Sequence, residues 1–259
     1  MSWNCSLQSP PITVLKILLC PPTLWWKKPS ACLSVKDGRF QKHKPDYKYP
    51  RQHDLIDDKK MGKNTVLKCD FVQGAANHRM RFGGGRGQHL PKAVGMKGGQ
   101  SPTIIDATAG LGRDAFLLAS LGSKVTLIER SQTIHGLLAA GMEAARQAGG
   151  QHKDIIDRMT LIYGDSIALL PKMQADVVLV DPMHPPRQKS ALVKAEMRAI
   201  RDIVGVDEDQ RLLIETALAM ATKRVVLKWP AKAAPIVGLR QSSHQIIGKS
   251  IRYDVFMTG

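Results

Sequence analysis

Thr103-Ile104-Ile105-Asp106-Ala107-Thr108-Ala109-Gly110-Leu111-Gly112-Arg113 is the stretch on which the fold turns. An apolar run ends at an acid, a turn with two glycines follows, and helix-forming residues begin near Asp114. Strand, tight turn and helix in this order make the opening unit of a nucleotide-binding α/β sheet. Glycines at 110 and 112 let the backbone turn sharply and approach a ligand closely. The helix beyond offers unpaired N–H groups at its start. Two cofactor classes use this arrangement, and Gly110-x-Gly112-x-x-Ala115 also fits the dinucleotide fingerprint.

The same texture continues on both sides. Short β-branched runs predict strands at residues 66–71, 103–107, 124–128, 159–163, 176–180, 224–228, 244–249 and 252–257. Apolar periodicity near 3.6 predicts helices at 114–121, 132–147, 190–204 and 207–221. The alternation implies an α/β fold with a doubly wound, mostly parallel sheet. Only Ser250 and Ile251 separate the last two strands. A parallel crossover needs a dozen or more residues, so this pair must be an antiparallel hairpin.

Residues 1–64 read differently. They hold three of the four Cys, three of the four Trp and seven of the 15 Pro, with no sustained period. They read as a basic, Pro-containing N-terminal extension, whether an arm, a small irregular subdomain or the product of a misassigned start, and residues 65–259 read as the regular α/β domain. The apolar stretch 12–20 contains Lys16, lacks a basic flank and meets Pro21-Pro22, which argues against a secretory signal. No CxxC or HExxH spacing suggests a metal site, and reduced thiols point to the cytoplasm. No apolar run nears the roughly 18 residues of a membrane span.

The chain carries 38 Lys+Arg against 22 Asp+Glu, a net +16. Such an excess points to a polyanionic partner, above all nucleic acid. The extension contributes +7 and the domain +9.

Three carboxylates at successive strand ends separate the cofactor classes. Asp106 would repel a pyrophosphate but suits the cationic groups of S-adenosylmethionine. Glu129 closes Val125-Thr126-Leu127-Ile128-Glu129 and suits a ribose diol in either class. Asp165, in Tyr163-Gly164-Asp165-Ser166, can accept from an adenine amino group. A fourth strand, residues 175–180, runs into Asp181-Pro182-Met183-His184-Pro185-Pro186. There the Asp181 carboxylate and the Pro182 carbonyl can hold an exocyclic amine, a task of orientation more than of proton abstraction. Cations gather in two places: Arg79, Arg81 and Arg86 in a glycine-rich loop over 78–87, and, after the Asp-Pro loop, Lys189 with Lys194, Arg198 and Arg201 on the helix that follows it. Both suit RNA phosphates.

Together these residues resemble a family. Residues 106–114 resemble the cofactor motif of class I S-adenosylmethionine-dependent methyltransferases. Asp181-Pro182-Met183-His184 is similar to their amine-methylating (Asp/Asn)-Pro-Pro-(aromatic) motif. The runs Asp70-Phe71-Val72, His78-Arg79, Arg81 to Gly87, 105–116 and 188–198 resemble, more narrowly, the bacterial 16S ribosomal RNA guanine-N2 methyltransferases (RsmJ). The resemblance covers about residues 68–259 and implies a seven-stranded, Rossmann-like sheet. It implies methylation of a guanine N2 near the 3′ end of 16S rRNA in the small ribosomal subunit. It places cofactor contacts on Arg113-Asp114, Glu129-Arg130, Asp165-Ser166 and Asp181. His184 stands where the family usually has a Phe to stack on the target base. Alternatives are a methyltransferase for another amine, an NAD-dependent dehydrogenase and an RNA-binding protein with a degenerate cofactor site.

Overall fold

The computed structural model describes strands at residues 32–36 and 39–43 and the chain over residues 67–183 and 209–259. The chain divides into two compact units, Met1–Lys48 and Tyr49–Gly259. In the first, β1 (Cys32–Lys36) and β2 (Arg39–His43) pair antiparallel, with Cys32 opposite His43 and Lys36 opposite Arg39. Asp37-Gly38 between them is a strong hairpin signal. A reading of residues 1–64 as aperiodic passed over it.

The second unit holds a seven-stranded sheet: β3 (Ile104–Asp106), β4 (Val125–Glu129), β5 (Met159–Tyr163), β6 (Ala175–Val180), β7 (Ala221–Pro230), β8 (His244–Ile247) and β9 (Ile251–Met257). Their order is β5-β4-β3-β6-β7-β9-β8. The pairs among β3–β7 are parallel, and β9 runs antiparallel to both β7 and β8. The expected seven-stranded sheet and its antiparallel hairpin are therefore both present.

Burial alternates along the strands, so two apolar layers flank the sheet. Ile104, Val125, Leu127, Val177, Leu179 and Val226 join one. Ile105, Ile128, Val178, Val180, Val225 and Leu227 join the other. The first layer is covered by α1 (Ala75–Phe82), α2 (His89–Ala93), α3 (Arg113–Ser120), α4 (Gln132–Ala148) and α5 (Gly150–Ile156). The second is covered by α6 (Ser166–Leu169) and α7 (Gln210–Met220). Ser131 caps α4 by accepting from the Ile134 N–H, a local reason for that helix to start where it does.

Two expectations are corrected. The described part of the predicted strand 66–71 is irregular. Its alternation is real, with Leu67, Cys69 and Phe71 buried and Lys68 exposed. Its backbone instead lies against α4. A Cβ on Gly141 would meet the Cys69 carbonyl oxygen and Sγ at 2.7 Å. The Asp70 carboxylate accepts from the N–H groups of Val72 and Gln73, both at 2.9 Å, and turns the chain toward α1. The second correction concerns the loop expected over 78–87: its first half is the end of α1, and glycine conformations begin only after Phe82. The predicted helix 190–204 lies outside the described residues. The other three helices match α3, α4 and α7 within a few residues at their ends.

Candidate active site

The chain runs outward from β3 through β4 to β5 and then returns to β6 on the other side of β3, so the strand order reverses between β3 and β6. Ligands of open α/β sheets bind at such a switch point, beyond the carboxyl ends of the strands. A cleft of about 360 Å³ lies there.

Its floor is the turn after β3. Gly112 is left-handed (φ 67°) and caps α3, and a Cβ there would come within 2.7 Å of Leu138 Cδ1. No larger residue fits both the backbone and the packing. Glu129 is buried and accepts from the Gly110 N–H at 2.9 Å and the Ser131 N–H at 2.7 Å. One carboxylate thus ties the glycine turn to the loop after β4. Ser166 donates to the Ala107 carbonyl oxygen at 2.6 Å and binds the loop after β5 to the same floor. Asp165 caps α6 through the Ile167 N–H.

The acceptor loop is held as well. The Asp181 N–H donates to Thr108 Oγ1 at 2.7 Å. Pro182 is buried, and Met183 packs against the larger core layer, its carbonyl accepting from Gln210 Nε2.

Charge is concentrated in the cleft. Asp106 is 3% exposed and accepts only a 3.2 Å bond from the Thr108 N–H among the contacts described. Burial, then repulsion from Asp114 and Asp181, pushes its carboxyl up to about 7. Burial also acts to raise Asp114, but Lys228 and Arg79 outweigh it and hold that carboxyl down at about 2. Lys228 Nζ lies 2.8 Å from Asp114 Oδ2 and 2.7 Å from Asp181 Oδ2. Burial opposes its charge, yet Asp181 and Asp114 raise its pKa well above the ordinary lysine value. At the rim, Arg130 pairs with Asp209 at 2.9 Å.

The cleft is lined by Asp106, Gly110, Arg113, Asp114 and Glu129 from the first two strand ends. Arg130, Asp165, Ser166, Asp181 and Pro182 complete the expected set. Gly112 lies behind it as the helix cap. Three residues were not anticipated: Lys228, Thr108 and Asp209. Lys228 had a signal, a cation closing the otherwise apolar Val225-Val226-Leu227. Thr108 and Asp209 had none beyond ordinary loop chemistry.

The cations expected to meet RNA separate into groups. Arg79 pairs with Asp114 and donates to Gln88 Oε1. Arg86 donates to the carbonyl oxygens of Gln100 and Leu121 and to Ser101 Oγ. Arg81 is exposed. His184, Lys189, Lys194 and Arg198 lie outside the described residues. Among the described residues no His, Cys, Asp and Glu cluster is suited to a metal, and no helix is long and apolar enough to cross a membrane.

Comparison with known proteins agrees with this geometry. Residues 47–258 match the family of SAM-dependent methyltransferases. The chain is 62% identical over 193 residues to the ribosomal RNA small subunit methyltransferase J of Brucella anthropi, covering 74% of this chain and 94% of that one. It is 60% identical over 194 residues to the protein of the same name from Agrobacterium fabrum, covering 75% and 93%. With that of Colwellia psychrerythraea the identity is 48% over 203 residues, covering 78% and 73%. Among solved structures, a SAM-dependent methyltransferase from Neisseria gonorrhoeae superimposes with a TM-score of 0.61 at 33% identity, over 76% of each chain.

Proposed function

Because the chain belongs to the ribosomal RNA small subunit methyltransferase J family of SAM-dependent methyltransferases, we propose that it methylates the exocyclic N2 of one guanine near the 3′ end of 16S rRNA, in the cytoplasm. The observation that carries the reading is the pairing across one cleft of a carboxylate-rich cofactor floor with the Asp181-Pro182 loop.

The donor set suits S-adenosylmethionine. Asp106 and Asp114 face the cleft as acids, a fit for a ligand whose amino and sulfonium groups are cationic. Glu129 suits the ribose diol, with Arg113 and Arg130 beside it, and Asp165-Ser166 suits the adenine edge. The cofactor supplies an electrophilic methyl group on a sulfonium, so the protein needs no strong base. The dinucleotide alternative leaves Asp106 beside a pyrophosphate and gives the Asp-Pro loop no role.

Asp181 and the Pro182 carbonyl would accept from the guanine amine and orient its lone pair. Thr108 holds the backbone N–H of Asp181 and Lys228 holds its carboxylate. His184 would stack on the target base, more weakly than the phenyl ring usual in the family. Arg81, Lys189, Lys194 and Arg198 would meet RNA phosphates, while Arg79 and Arg86 spend their donors inside the domain.

The test is methyl transfer by the purified protein to 30S particles and to naked 16S RNA, followed by nucleoside mapping. N2-methylguanosine at one 3′-proximal position is the expected product. A methylated adenine, a methylated glutamine in a ribosomal protein, or retention of N2-methylguanosine in a deletion strain would overturn the assignment.

A further inference from the structure

We propose that Lys228 is a positioning residue for methyl transfer, holding the Asp181 carboxylate of the acceptor loop and the Asp114 carboxylate of α3 on one ammonium group. The inference rests on the role given above to Asp181.

The geometry is specific. Lys228 lies near the end of β7, directly opposite Tyr253 of β9. Its side chain is 21% exposed and its Nζ reaches Asp181 and Asp114 at 2.7 and 2.8 Å. The next residue anchors the strand end: Trp229 is buried and its Nε1 donates to the Ala234 carbonyl oxygen at 2.9 Å. The ammonium is thus delivered from a rigid strand to the first turn of α3 and to the loop after β6, which are remote in sequence. A lysine contributes nothing to a parallel-sheet core that an apolar residue would not contribute better, and burying its charge is costly unless paired. Its placement is explained by the carboxylates it joins.

The groups around it show why a cation is needed. Asp114 faces it from α3, Asp181 from the loop after β6 and Asp106 from the end of β3; Arg79 of α1 shares Asp114, and Tyr253 backs it from β9. Three acids and two cations, Lys228 and Arg79, thus gather at this one point. Without Lys228, Asp114 keeps Arg79, but Asp181 loses its described cationic partner and faces Asp106 and Asp114. Loss of the ammonium weakens the hold on that carboxylate and favours its protonated form, and either change spoils a hydrogen-bond acceptor aimed at an amine.

Lys228→Met, Lys228→Arg and Asp181→Ala are compared with the wild type on 30S particles or 16S RNA. Single-turnover rates are measured across pH at saturating RNA and cofactor, and S-adenosylhomocysteine binding is measured by calorimetry. Lys228→Met is expected to slow transfer about 10²-fold, the scale of a small misplacement at the reacting centre. Its affinity for S-adenosylhomocysteine should change less than about threefold, because Asp114 keeps Arg79. The acid limb of its rate profile should move up by about one pH unit or more. Lys228→Arg should recover most of the rate and the original limb. If Lys228→Met does not fold, Lys228→Gln serves in its place. A normal rate and profile in Lys228→Met beside a slow Asp181→Ala overturns the Lys228 role alone. A slow Lys228→Met with an unmoved acid limb and no recovery in Lys228→Arg overturns it too. A wild-type rate in Asp181→Ala overturns the acceptor-loop reading first, and this one with it.

Discussion

Thr108 and Asp181 are 73 positions apart, and the hydroxyl of the first accepts the backbone N–H of the second at 2.7 Å. The cofactor turn and the acceptor loop are therefore bonded directly, so the two halves of the site are built to a common register. Thr108→Val keeps the shape and removes the acceptor, leaving a part-buried N–H without it. The loss should be about 1–3 kcal/mol of stability, read as a lower melting temperature, together with slower single-turnover transfer. Thr108→Ser should restore both. A Thr108→Val protein with unchanged melting and rate would show the bond to be incidental.

Asp181→Ala should lower the single-turnover rate by about 10²-fold or more, because an oriented acceptor is lost, while S-adenosylhomocysteine still binds. Asp181→Asn should fall between the two. It retains a carbonyl acceptor but gives up the ion pair with Lys228. Equal rates for Asn and Ala variants would mean that the charge matters and the hydrogen bond does not.

Asp106 makes stability depend on pH. Its carboxyl is raised from 3.8 to about 7 by burial, then by Asp114 and Asp181. The folded protein therefore holds this proton more tightly than the unfolded chain. Its contribution to stability is complete below 3.8 and disappears as pH rises through about 7. Asp106→Asn removes the liability, so its melting temperature should gain on the wild type between about pH 5 and about pH 8. A gap that stays constant over that range would contradict the assignment. A cationic ligand beside Asp106 should also expel its proton. S-adenosylmethionine affinity should then rise with pH over the same window, more than that of S-adenosylhomocysteine, which lacks the sulfonium charge.

RNA binding should be steeply salt-dependent. If Arg81, Lys189, Lys194 and Arg198 each meet a phosphate, log K should fall against log salt with a slope of about −3 from these four, at roughly −0.7 per contact with single strands. Arg81→Ala should remove roughly 0.7 of it. Filter binding or fluorescence anisotropy across a salt series measures both, and a flat profile would dismiss the proposed RNA face.

Much of this site was legible because its parts are local. Asp106, Glu129, Asp165 and Asp181 each follow an apolar strand, and a strand's end can be read from its own residues. The sheet then brings those ends together without further information. What escaped the reading is nonlocal. Leu67, Cys69 and Phe71 alternate like a strand, but α4, with glycine at 141, offers them a surface and the sheet offers no partner. Arg79 and Arg86 read as surface cations because Asp114, Gln100 and Leu121 are remote in sequence. Lys228 closed a strand with a charge, a local inconsistency that marks a site more often than a mistake.

The strand order β7-β9-β8 has a consequence for assembly. During synthesis β8 emerges before β9, yet it has no place in the sheet until β9 lies between it and β7. The two must join as a hairpin and dock through β9, a late, long-range closure behind Lys228. Any nascent or clipped chain lacking residues 251–257 would forfeit two strands at once. Lys228 would then face solvent where Tyr253 should back it, so the methyl-transfer cleft acquires its rear wall only when the hairpin closes.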